Sequence, residues 1–276
     1  MCFFDFYKAK GGGLSRFLLP LRFKCGINKT RQYLKMFQPL HCVALRTIKY
    51  NDRNSILSVY SLEMGRLSFL VPAGNGREAN RRRAMFMPLS IFECVASIKP
   101  GRELHTMRDP RVMVPLHGLH SHPMKGAVAI FVADVLNAVL RESQSDNATF
   151  AFLVDAITRF DVMTEGVANF HLCFLYRLGR FIGIEPDVST YRDGAVFDMQ
   201  EGRFRMTPPL HHKYLMSDDA RVVALLSRIT YDNLRYFKFN RTQRNDLLDK
   251  ILEYYTIHYS SLSQMQSLDV LRALFV

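Results

Sequence analysis

The sequence changes its hydrophobic period once, at Pro115, and that change constrains the fold more than any other feature. Between Met36 and Pro115 the apolar residues come in short runs of β character. Residues 41–48 and 55–60 are rich in β-branched and apolar side chains and are separated by the polar stretch 51–54, as expected of two strands joined by a turn. Glu63-Met64-Gly65 then turns the chain into residues 66–71, where Leu67, Phe69 and Val71 alternate with Arg66, Ser68 and Leu70. A period of two puts the first three on one face, and that face is core. Runs at 85–98 and 102–114 bring the expected strands to about five. Five short strands over 36–115 predict a small barrel, and the OB-fold is one of the few architectures that fit.

After Pro115 the period becomes 3.6. Val128, Phe131, Val132, Val135, Leu136 and Val139 form one helical stripe, with Pro123 at the first turn, where its missing N–H is not needed. Residues 150–163 predict a second helix. A third carries Val167, Phe170, Phe174, Leu175, Leu178 and Phe181 and stops at Gly183, the residue favoured just past a helix end. The pattern then lapses over 184–214 into Pro, Gly and polar residues with β-like pieces such as 195–199, which predicts an inserted loop or hairpin. Ser217-Asp218-Asp219 reads as the cap of a helix bearing Val222, Val223, Leu226 and Ile229, and a longer helix carries Leu247, Leu248, Ile251, Leu252 and Tyr255. The expected fold is α+β: an N-terminal OB-fold β-barrel over 36–115, then an all-helical domain over 116–276 interrupted by the loop 184–214.

The net charge of +12 favours an anionic partner such as nucleic acid. Residues 1–35 hold eight Lys and Arg against one acid, Asp5, so this leader supplies +7 of the excess. It shows no sustained period, and its apolar stretches are broken by Arg16, Pro20 and Arg22, so it fits neither a domain nor a secretory signal. The expectation is that it stands outside the fold and that translation starts at Met36. No apolar run reaches the ~18 residues needed to cross a bilayer. The five cysteines, Cys2, Cys25, Cys42, Cys94 and Cys173, contain no C-x-x-C pair, which argues against a disulfide framework or a thiolate metal site and for a reducing, cytoplasmic setting.

Two basic sets are candidate binding residues. Arg77, Arg81, Arg82 and Arg83 are expected on a basic loop after the third strand, where they can follow phosphates beside the barrel; Arg66 is counted with them, and Phe86 is a candidate for stacking on bases. Tyr60 and Phe69 are further aromatic candidates, although Phe69 falls on the core face. The second set, Arg235, Lys238, Arg241, Arg244 and Lys250, has Tyr236, Phe237 and Phe239 interleaved, a pattern suited to an acidic, apolar peptide. For each set the plainer reading is cations in water above a packed core.

The order barrel, helix bundle, interrupting loop and terminal helices is joined by local wording: residues 45–50 (LRTIKY), Gly65, Asn169-Phe170-His171, Arg241-Thr242-x-Arg244-Asn245, Glu253-Tyr254-Tyr255-x-x-His258, and residues 267–271 (SLDVL). Over 36–276 the chain resembles the RecO family of DNA repair proteins, especially forms from Bacteroidetes-like bacteria. The resemblance implies binding of single- and double-stranded DNA, annealing of complementary strands, and work with RecR to replace single-strand-binding protein by RecA. It makes the tail of single-strand-binding protein the expected peptide for the second basic set, contact with RecA indirect, and the location cytoplasmic and nucleoid-associated. Many relatives carry a cysteine-ligated zinc after the third helix; here the segment from Ile184 has no cysteine, so zinc is expected to be missing and the insert to be held by packing alone.

Enzyme readings fare worse. His120-Ser121-His122-Pro123 resembles the paired-histidine segment of zinc-dependent JAMM isopeptidases, but Ile130 and Ala133 stand where that family needs serine and aspartate. His117, His120 and His122 are expected as loop and helix-start residues, His171 as a hydrogen-bonded core histidine, and His211-His212 as an exposed pair. No phosphate-binding loop, nucleophile elbow or dinucleotide fingerprint is present. The expectation is a non-catalytic protein without cofactor or metal; the competing class is an OB-type module that binds protein and has no DNA affinity.

Overall fold

The computed structural model describes residues 37–98, 101–262, 265 and 267–274. The expected leader, 1–35, and the expected start at Met36 lie outside the described residues. Strands β1 (Gln38–Lys49), β2 (Asn54–Ser61), β3 (Gly65–Pro72), β4 (Ile91–Ser97) and β5 (Leu104–Val114) close into a barrel in the order β1-β2-β3-β5-β4. Closure is a short parallel seam, Ser68 opposite Leu104 and Phe69 opposite His105, while the remaining pairs are antiparallel. The alternation in β3 is as expected: Leu67, Phe69 and Val71 are buried in a barrel core with Leu40, Leu57, Val59 and Phe92.

One expected element is corrected here. Residues 77–85 form a helix, α1 (Arg77–Met85), and the strand expected over 85–98 begins only at Ile91. Pro88 and the left-handed Leu89 (φ 64) break the chain between them. Backbone bonds from Ala44 N–H to the Ser90 carbonyl and from Leu89 N–H to the Ala44 carbonyl fasten this break to the bulge in β1.

The helical half contains α2 (His117–Ser121), α3 (Pro123–Val139), α4 (Asn147–Val162), α5 (Phe170–Phe181), α6 (Ser217–Leu226), α7 (Arg241–His258) and α8 (Ser267–Leu274). Pro123 opens α3, which is buried on most sides because it lies in the middle of the packing. Phe160 and Phe170 stack at 3.8 Å and Tyr231 stacks on Phe170 at 5.4 Å, so the bundle centre is aromatic. The cap of α6 is Met216, one residue before the expected Ser217, and Asp218 and Asp219 fall in the first turn, where carboxylates face the positive end of the helix dipole. Asn240 and Gln243 form a reciprocal capping box on α7.

Between α5 and α6 the expected loop or hairpin is a three-stranded sheet, β7-β6-β8, built from β6 (Val196–Asp198), β7 (Arg203–Arg205) and β8 (Tyr214–Leu215). Packing alone does not hold it. The Asp198 carboxylate, 1% exposed, accepts from the N–H groups of Gln200 and Glu201 and lies 3.3 Å from both Arg205 Nε and His211 Nε2. His211 is therefore a half-buried partner of this carboxylate, while His212 is exposed.

Barrel and bundle share a core. Val43, Leu45 and Ile91 are buried in one cluster with α3, and the Tyr60 hydroxyl donates to the Gln144 carbonyl (3.3 Å) and accepts from Asp146 N–H (3.2 Å). At the far side of the β2–β3 turn, His41 Nδ1 lies 2.6 Å from Glu63 Oε1, and His41 N–H donates to Glu63 Oε2. The Glu63 hydrogen bond raises the His41 pKa above its usual value, outweighing partial burial. A raised histidine pKa makes the pair's stabilisation complete below about pH 6.5, the unfolded value, and lost as pH climbs through the folded value. The expected result is a thermal midpoint that falls over that interval in wild type and falls less in His41→Gln; parallel curves for the two proteins would remove His41 as the cause.

Candidate nucleic-acid interface

Helix α1 forms from the run REANRRRAM, in which Arg, Ala, Glu and Met all favour helix and no residue is β-branched. None of its residues is buried, so it presents no apolar stripe. What fixes it is its C-terminal end: Phe86, 7% exposed, has its N–H on the Arg82 carbonyl and its ring edge-on to Phe92 at 5.2 Å. Arg82 and Arg83 occupy the last turn, where cations suit the helix dipole.

The four expected arginines therefore lie on a helix, not on a loop. Arg77, Arg81 and Arg83 are exposed and Arg82 is half-buried, 3.6 Å from Glu78 one turn earlier. Arg83 donates to the Gly74 carbonyl and to Asn75 Oδ1, so part of its donor set holds the turn that precedes the helix. A cleft of about 360 Å³ on one side of α1 is lined by Arg81, Arg82 and Arg108, by the acids Glu78 and Asp109, and by apolar Leu70, Met85 and Met107. On the other side a cleft of about 660 Å³ runs to the β1–β2 hairpin, with Lys49, Arg82 and Arg83 on its walls and Asp52 beside them, 2.9 Å from Lys49 Nζ. Cations on both sides of an exposed helix make a surface on which a phosphate chain finds charge without displacing a buried group.

Arg66 and the aromatic candidates stand elsewhere. The Arg66 guanidinium is turned toward the bundle, donating to Asn137 Oδ1 (2.7 Å), the Leu67 carbonyl (2.6 Å) and Ser68 Oγ. Burial, reinforced by Arg141, lowers its pKa to about 10. It is a joint residue and does not share the α1 surface. Phe86, Phe69 and Tyr60 are all buried, which removes them as stacking platforms for bases.

Arg108 and Lys49 join this surface without belonging to either basic set of the sequence. Arg108 is exposed in β5, 4.7 Å above the Phe37 ring, and only barrel closure brings β5 beside α1. Its signal in the sequence was the break of alternation at Arg108-Asp109-Pro110-Arg111, which carries no information about its neighbour.

The second basic set is divided by the fold. Arg235 lies over the Tyr236 ring at 4.9 Å and 3.6 Å from Glu165, Lys238 is exposed, and Arg241 reaches the Arg272 carbonyl at 3.3 Å. Arg244 is half-buried and donates to Asn169 Oδ1 (3.1 Å) and the Phe239 carbonyl (2.9 Å), and burial lowers its pKa. Its role is to hold the 237–239 segment in place. Lys250 bridges Asp219 and Asp246.

Of the histidines, His117 and His122 are exposed at the ends of α2, and His120 Nε2 lies 3.2 Å from Ser90 Oγ with its pKa lowered by burial. His171 is fully buried, edge-on to Phe131, and burial together with Arg244 pushes its pKa down to about 3.

Two family models match the chain. The one described as Recombination protein O N terminal covers residues 36–113, and the one described as Recombination protein O C terminal covers 120–267. Among curated relatives, the DNA repair protein RecO of Phocaeicola vulgatus is 35% identical over 240 residues, covering 87% of this chain and 100% of the relative. RecO of Azobacteroides pseudotrichonymphae is 33% identical with the same coverage. RecO of Porphyromonas gingivalis is 32% identical over 240 residues, 84% of this chain and 97% of the relative.

Proposed function

This chain belongs to the RecO family, with the DNA repair and recombination role that membership carries, and from that premise we propose that it binds single- and double-stranded DNA and anneals complementary strands. With RecR it helps load RecA onto DNA coated by single-strand-binding protein, working as a non-catalytic mediator in the cytoplasm, at the nucleoid. The observation that carries the DNA reading is the exposed cationic helix α1 with a cleft on either side, the two sharing Arg82. Phosphates are neutralised there by Arg77, Arg81, Arg82, Arg83, Lys49 and Arg108.

The test is fluorescence anisotropy with a labelled oligonucleotide over a salt series, followed by addition of the complementary strand. Affinity that falls steeply with salt, and duplex formation faster than in buffer alone, are expected. Absence of binding in dilute buffer would leave the protein-interaction module as the surviving reading.

The tail of single-strand-binding protein is assigned to the surface of Arg235, Lys238 and Arg241, whose exposed cations surround half-buried Phe237 and Phe239. Arg241→Glu is expected to weaken binding of an acidic tail peptide while leaving the thermal midpoint in place. Arg244→Ala is expected instead to lower unfolding stability by about 1–2 kcal/mol, the cost of half-buried, charge-assisted hydrogen bonds. A titration of peptide against both variants, with melting curves beside it, checks the division; equal peptide binding by Arg241→Glu and wild type would remove this surface.

A further inference from the structure

We infer that the outer face of β1, β2 and β3 is a platform for unpaired nucleobases, with Tyr50 as its stacking residue. The inference rests on the DNA reading above and adds to it the element that distinguishes a single strand from a duplex. Cations on α1 attract any polyphosphate and carry no such preference.

The register of the sheet lines up an apolar row on its outer surface. Ile48 is opposite Ile56 across β1–β2, and Ile56 is opposite Leu70 across β2–β3, so three aliphatic side chains sit side by side on neighbouring strands. Their strand neighbours Leu57, Phe69 and Val71 point inward to the core, which puts this row outside the barrel. Ile48 is 44% exposed and Ile56 and Leu70 are partly so. Beyond Ile48 on the same face of the hairpin is Tyr50, 59% exposed.

Tyr50 is held in a rigid turn. Its N–H donates to the Asn54 carbonyl (3.1 Å), and the Asn51 side chain accepts from the N–H groups of Arg53 and Asn54. With the backbone of the turn already ordered, only the side-chain rotation of the exposed Tyr50 ring has to be fixed when a ligand stacks on it.

Charge and continuity name the occupant. Exposed Arg46 and Arg53 flank the row at the hairpin end. Leu70, at the other end, also lines the cleft walled by Arg81, Arg82 and Arg108. An apolar strip with cations along both margins fits a chain of flat apolar rings strung on a polyanion, an unpaired DNA strand. A duplex keeps its ring faces stacked inside and offers this strip nothing to cover. A protein partner would have to supply both carboxylates for the flanking arginines and an apolar surface for the row, and equal single-strand binding by Tyr50→Ala and wild type is the result that would favour it.

Tyr50→Ala is expected to lower single-strand affinity about tenfold, within the range for one base–aromatic stack, while duplex affinity and the salt slope stay as in wild type. Tyr50→Phe should restore single-strand affinity, since stacking needs the ring and not the hydroxyl. The chain contains no tryptophan, so Tyr50→Trp places one reporter on the platform. A single-stranded oligonucleotide should quench its emission at saturation, and a duplex of the same length should not. If Tyr50→Ala binds single strands as wild type does, or if both ligands quench Tyr50→Trp equally, the platform is overturned while the cationic helix stands. If wild-type protein binds neither oligonucleotide, the DNA reading itself fails.

Discussion

Gly65→Ala is expected to lower the unfolding free energy by about 3 kcal/mol and to loosen the barrel from the helices. Gly65 begins β3 with φ +70, and a Cβ there would sit 2.6 Å from both the Gln144 carbonyl carbon and the Ser143 oxygen. Both clashing atoms are backbone, so neither can rotate away. The left-handed conformation costs a side chain about 1–2 kcal/mol. Overpacking adds roughly 1–3 kcal/mol. The same approach supports the Arg66 N–H bond to Ser143, the Arg66 pairing with Asn137 and the Tyr60 hydroxyl pairing with Gln144 and Asp146. Gly194 is the control: its φ is +80, with nothing within 4 Å of an added Cβ, so Gly194→Ala carries the strain without the clash. Urea unfolding of the two variants separates the contributions. Equal losses at both positions would mean that the close approach to residues 143–144 contributes nothing.

Replacing Arg81, Arg82 and Arg83 together by Ala should flatten the dependence of single-strand affinity on salt by about two in log–log slope, from ~0.7 per phosphate contact. Between 50 and 200 mM salt, a slope lower by two means that the wild-type loss of affinity exceeds the variant's by roughly 16-fold. The three positions are not equivalent. Arg81 is exposed on the cleft wall it shares with Arg108, whereas Arg83 spends donors on Gly74 and Asn75. Arg81→Ala alone is therefore expected to change the slope more than Arg83→Ala. Because no residue of α1 is buried, the triple variant should keep the far-ultraviolet circular dichroism of wild type apart from fraying of this helix. An unchanged slope in a folded triple variant would take α1 out of the interface.

Most of the scaffold was legible because burial imposes a period. Leu67, Phe69 and Val71 had to alternate to line a barrel, and Val128, Val132, Val135 and Val139 had to recur at helical spacing to face a bundle. Where burial is absent the signal goes with it. The arginine helix α1 has no apolar stripe, so its residues read as a loop, and Met85-Phe86 read as the start of the strand that begins only at Ile91. Phe86 looked available for stacking because an aromatic after four arginines has the composition of a binding loop; it is instead the residue that seats α1 on the barrel. Tyr50 carries no local signal for its platform position, since exposure is not written in residue type.

The sequence by itself determined the α+β order, the barrel interior, the helix stripes and the cationic character of the surface, because each is a property of neighbours along the chain. Only the tertiary structure decided which cations share a surface. Closure of β3 onto β5 carries Arg108 to α1, docking on the bundle turns Arg66 away to Asn137, and Arg244 is spent on Asn169 and Phe239. Coulomb attraction depends on distance in space, and a sequence specifies distance only along the backbone.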